Sequence, residues 1–267
     1  MARGWHSIAV TVAAGTVIVL ALLCIWRLLQ PLTQGAAIAP LLLAVPVFLG
    51  TRSVQAARRR AWGKAAIRPA SPLAALLTGR IGATVAAAGV TVVAVPLTAA
   101  EVALARPAEL WLLAALVPLA GLAQAMLAHR LGRHLHRPWA DPLADRLALA
   151  LVGGVFVGLH VWLDWFTATL PGYLQLPFAP AMQQAMAAVP GPAGPVTAAL
   201  QATQAGDAAR MWLLLHLGSD SPFAALRPLV VLLHLAMSAL AVLSVVQVAI
   251  SVRQSCEDLL VDGTEAA

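Results

Sequence analysis

The stretch from Gly153 to Trp165 holds the residues whose types and spacing have the most chemical potential. His160 and Asp164 stand at i and i+4, so in a helix they share one face. The surrounding residues are apolar. A carboxylate inside such a segment is costly in lipid and is a functional hypothesis by default. Two uses are open to this pair. Asp164 and His160 have the chemistry of an ion or proton site. Alternatively, Asp164 is neutralised structurally by Arg227, which opens the last apolar stretch at a comparable depth. In the same segment Gly154 and Gly158 form a GxxxG pair, a spacing that lets two helix backbones approach closely.

His234 extends the set. At about 1.5 Å per residue it lies near the same depth as His160, on a different helix. Two imidazoles facing each other there could hold a haem, a metal or a quinone, or could simply hydrogen-bond across a helix contact. A third group, His129, His134 and His136 with Asp141 and Asp145, sits among arginines. Its spacing lacks a zinc-ligand pattern and the arginines repel a cation, so a solvated or headgroup-facing loop is expected instead. The chain has no Gly-x-Ser-x-Gly, His-Glu-x-x-His, P-loop or dinucleotide-binding glycine pattern, and no residue is assigned a catalytic role.

The elements that must position these residues follow from composition. The chain has 267 residues, of which 61% are hydrophobic and 10% charged, with a mean hydropathy of +0.85. Soluble domains carry about 25% charged residues, and a chain of this size could not hide so much apolar surface from water. The expected fold is an all-α polytopic membrane protein, in contact with the lipid bilayer. Apolar stretches of roughly 20 residues mark spans, and six are read at 8–29, 35–50, 81–104, 110–127, 147–170 and 226–252. Pro40, Pro46, Pro96 and Pro118 fall within the second, third and fourth. The first stretch exceeds a signal peptide's apolar core of about 7–15 residues and lacks a small-residue cleavage site, so it is read as an uncleaved span.

The net charge is +6, but the basic residues cluster in short loops between apolar runs, which argues against nucleic acid as a partner. Placing both termini in the cytoplasm puts thirteen of the 17 Lys and Arg residues on that side, with Arg27, Arg106, Arg210 and Arg227 on the other. The single lysine, Lys64, against many arginines, with heavy Ala, Leu and Val, suggests a bacterial inner membrane. Cys24 in the first span and Cys256 in the tail are too far apart for a disulfide.

The chain divides into spans one to five (1–170), a periplasmic segment (171–221), and the sixth span with its tail (222–267). Within the middle segment the Pro190–Pro195 stretch must break any helix. Short helices are expected at 183–189 and 196–205, and 211–217 is expected to lie in the interface or re-enter part-way. The leading functional expectation is a non-catalytic integral subunit, scaffold or assembly factor of a larger membrane complex, with other membrane subunits as partners. The alternatives are a small transporter or channel using Asp164 and His160, and a haem- or quinone-linked redox subunit using His160 and His234.

Overall fold

The computed structural model describes residues 5–66, 80–166, 170–217 and 224–265. Arg3 and Arg68, which entered the charge count, lie outside these residues, as do 167–169 and 218–223 at the ends of two expected segments. The described residues form helices and short connections without a strand. The long helices are α1 (Trp5–Leu29), α2 (Ile38–Ala66), α3 (Arg80–Leu104), α4 (Pro107–Leu131), α5 (Arg137–Phe166) and α8 (Arg227–Glu265), and between the last two lie α6 (Phe178–Ala187) and α7 (Pro195–His216). Six of them are long and apolar enough to cross a membrane. Large apolar side chains such as Val17, Leu41, Val92, Trp111 and Leu151 cover the outer surface of the bundle. In water such a surface would be strongly unfavourable. Under lipid it is the expected exterior.

Helix α8 is the axis of the fold. It packs against α1, α2, α3, α4, α5 and α7. From Val245 through Glu257 its residues are buried or nearly so, with no polar face turned outward. The other spans enclose this stretch, including its polar residues Ser251, Arg253, Gln254 and Glu257. Its first turns differ, since Leu229, Leu232 and Leu233 are exposed.

Close approach to α8 depends on small residues. A Cβ on Gly50 of α2 would run into the backbone carbonyl of Ser251, and one on Gly15 of α1 would stand 3.1 Å from the Arg253 Cα. On α5 the contact is made by Gly153, where a Cβ would collide with Leu243. Gly154 and Gly158 are exposed, and a Cβ on either meets nothing within 4 Å. The expected GxxxG contact is therefore displaced by one residue within this chain: the glycine that lets α5 reach α8 is Gly153.

Several helices run longer than the apolar stretches that announce them. Helix α2 continues through Arg52, Arg58 and Arg59, because Arg, Ala and Gln are good helix formers once outside the apolar region. Helix α5 starts at Arg137, which places Asp141 and Asp145 on a helix rather than in a loop. Helix α7 runs for 22 residues and absorbs Met211–His216, expected to be a separate interfacial segment. Pro46, Pro96 and Pro118 stand inside α2, α3 and α4. Pro40 falls in the first turn of α2, where a missing N–H costs nothing.

The segment between α5 and α8 forms a cap on one end of the bundle. Its Pro-Gly turn includes Gly191 at φ 142°, the left-handed region that favours glycine. Two glutamines from the α1–α2 connection hold this turn. Gln30 Nε2 donates to the Pro190 carbonyl at 2.8 Å, and Gln34 Nε2 donates to the Pro192 carbonyl at 2.6 Å. Gln34 Oε1 accepts from the Val196 N–H at 3.1 Å, so one side chain satisfies both the turn and the first turn of α7. Trp212 closes the other side, donating to the Leu176 carbonyl at 2.9 Å and meeting Phe178 edge-on.

Candidate functional site

Beneath the cap lies a cavity of about 330 Å³ built from five helices and the connection after α5. Each helix contributes residues spaced to share one face. On α3 these are Leu97, Glu101 and Leu104, and on α8 they are His234, Met237, Ser238 and Ala241. Helix α7 turns Thr203, Asp207, Arg210 and Met211 inward, and α5 supplies His160 and Asp164.

His160 is the hinge of the polar part. Its Nε2 lies 3.7 Å from Glu101 Oε1 and 3.6 Å from Asp164 Oδ2, so one imidazole stands between two carboxylates on different helices. All three side chains are at least four-fifths buried. Its other ring nitrogen, Nδ1, has no hydrogen-bond partner among the described residues. His234, 5% exposed, has no such partner on either nitrogen. Buried polar atoms are nearly always satisfied, so these two imidazoles stand out among the residues lining the cavity.

The cation on Asp164 is Arg106, not Arg227. The Arg106 Nη2 contacts both Asp164 Oδ1 and Glu109 Oε1, while Arg227 is exposed at the start of α8. The reason is local. Ala105 and Arg106 form a two-residue turn between α3 and α4, with Pro107 opening α4. Glu109 Oε2 accepts the Arg106 backbone N–H at 2.7 Å and Oε1 accepts its Nε at 2.6 Å, a capping arrangement that aims the guanidinium toward α5. Burial opposes the charge on Arg106, but bonding to Glu109 and the charges of Glu109 and Asp164 hold it above its ordinary value.

Arg210 faces this group from α7. Its Nη2 is paired with Asp207 one turn earlier, while Nε and Nη1 have no partner among the described residues. Burial pushes its guanidinium below the ordinary value, and the charges of Asp164 and Glu101 pull it back. Arg210 is thus within electrostatic range of both carboxylates without pairing to either.

Of the residues singled out by sequence, His160, Asp164 and His234 come together here, and Arg227, Gly154 and Gly158 do not. Glu101, Arg106, Glu109 and Arg210 were missed. Glu101 carries the same signal as Asp164, a carboxylate in an apolar run. Arg210 carries none, since it lies in a segment outside the spans. His134 and His136 are exposed, and among the described residues no cluster of three or more His, Cys, Asp or Glu could hold a metal ion. Asp145, expected beside those histidines, instead accepts from Gln124 Nε2 at 2.8 Å and Gln254 Nε2 at 2.7 Å at the opposite end of the bundle. No family model matches the chain, nor does any curated protein or solved structure.

Proposed function

We propose that this protein is a small transporter of a bacterial inner membrane, with the capped end in the periplasm and both termini in the cytoplasm. The asymmetry of the basic residues supports that orientation. One observation carries the transport reading: an imidazole held 3.6–3.7 Å from two carboxylates on the wall of a solute-sized cavity. A charged solute in the cavity changes the electrostatic balance among these three groups. The charged and titratable groups that set this balance are Glu101 on α3, Arg106 and Glu109 at the α3–α4 turn, and Asp164 on α5. Asp207 and Arg210 on α7 and His234 on α8 complete it. Pro96 lies in α3, which carries Glu101, and Pro118 in α4, which carries Glu109. Each removes one backbone hydrogen bond and leaves a point where the helix can bend. The cavity also favours an ionic solute over a porphyrin, because His160 Nε2 already faces two carboxylates.

The test uses the full chain in liposomes loaded with a pH-sensitive dye. Under an imposed proton gradient, a mixture of amino acids, short amines and sugars should elicit proton entry, and Asp164→Asn should abolish it. Wild-type liposomes that stay silent with every component would refute the reading.

A second reading, the non-catalytic subunit, is favoured by one observation. Gly154 and Gly158 leave an open shallow surface on α5, bordered by exposed Val155, Leu159 and Trp162. A span from another protein could pack there. Native-gel migration of the detergent-extracted protein would change on Gly154→Leu if that surface holds a partner.

A further inference from the structure

The cavity beneath the cap is two-sided in charge. On one side Glu101 lies against His160 at 3.7 Å and forms no pair with a guanidinium among the described residues. On the other, Arg210 spends one nitrogen on Asp207 and keeps Nε and Nη1 uncommitted. Glu101 and Arg210 sense each other's charge and both line the cavity, yet they are not within ion-pair distance. A cavity that holds both signs of charge without an ion pair between Glu101 and Arg210 suits a molecule bearing both complementary charges. Leu97, Leu104, Met211 and Met237 add apolar lining to the same cavity.

Resting on the transport reading, we infer that the solute is a small zwitterion with an apolar body, the chemistry of a neutral α-amino acid. Its ammonium group lies toward Glu101 and Asp164, and its carboxylate toward the Arg210 guanidinium. The apolar side chain rests on the leucine and methionine wall. A cation alone would leave Arg210 Nε and Nη1 without an acceptor, and an anion alone would meet the carboxylates of Glu101 and Asp164. Unmatched buried charge is what makes such sites selective.

Wild-type protein in detergent would be titrated with L-leucine, L-leucine methyl ester and N-acetyl-L-leucine at about pH 7.5, where more than half of the ester's amine is protonated. The ester keeps only the ammonium and the N-acetyl form only the carboxylate. Leucine should bind at least about tenfold more tightly than either, since each lost partner is a charge-assisted hydrogen bond. Arg210→Gln should bring leucine to the affinity of the ester, and Glu101→Gln to that of the N-acetyl form. An ester that binds as tightly as leucine, or no binding of leucine at all, would overturn the inference. The liposome assay separates this failure from that of the transport reading. Proton entry with the ester but not with leucine would leave transport standing and remove the zwitterion. Tight leucine binding with no proton entry would do the reverse.

Discussion

At the end of the bundle opposite the cap, Asp145 accepts from Gln124 and Gln254, Thr51 and Ser251 share a hydrogen bond of 2.9 Å, and Arg253 Nη1 donates to Glu257 at 2.8 Å. Each of these side chains has a partner, and helices α1, α2, α4 and α5 close around them with glycines at the tightest contacts. At the capped end α3, α4, α5, α7 and α8 line a cavity, where His234 and part of Arg210 have no partner among the described residues. At one end side-chain hydrogen bonds lock the ionisable groups into a closely packed core. At the other the ionisable groups border a cavity. The same residue chemistry therefore serves cohesion in one place and binding in the other, and the neighbours decide which.

Breaking the locked end should have the largest effect on stability. Arg253→Gln removes a guanidinium whose side chain is only 4% exposed and breaks its buried pair with Glu257, at a cost of about 3–5 kcal/mol. A large fall in melting temperature of the purified protein is the check. Gly50→Ala comes next, at about 1–3 kcal/mol, because its Cβ would overlap a backbone carbonyl that cannot rotate away. Gly154→Ala and Gly158→Ala should leave the isolated chain within about 0.5 kcal/mol of wild type. Equal losses at all three glycines would mean that α5 packs differently from the arrangement described.

At the capped end the effects stay below that of Arg253→Gln. Arg106→Gln should cost about 1–3 kcal/mol, kept below the value for a buried pair because the guanidinium is half exposed. Combining it with Asp164→Asn should recover part of the loss, with a coupling of about 0.5–3 kcal/mol. Arg227→Gln combined with Asp164→Asn should show no coupling. A coupled Arg227 would restore the pairing expected from sequence depth alone.

What the sequence made legible was the part governed by one-dimensional signals. Six apolar runs and the Pro190–Pro195 break appear as six long helices and a turn held by Gln30 and Gln34. Helix ends were less legible, because polar helix formers such as the Arg58–Arg59 stretch extend a helix without extending its apolar core. Pairing was least legible. Arg227 and Arg106 lie at similar depths by counting, and only the Pro107 turn with its Glu109 cap directs Arg106 to Asp164. The GxxxG spacing was visible, but which glycine meets α8 depends on the rotation of α5, and that is set by packing around Gly153 and Leu243. Arg210 became visible only when α7 folded over the bundle.

The contrast between the two ends is tested most directly by Glu101→Gln, which removes one charge from the cavity and nothing from the locked end. The variant should keep a melting temperature close to wild type while losing solute-driven proton entry in liposomes. Full proton entry in Glu101→Gln, or a loss of melting temperature as large as that of Arg253→Gln, would contradict the account.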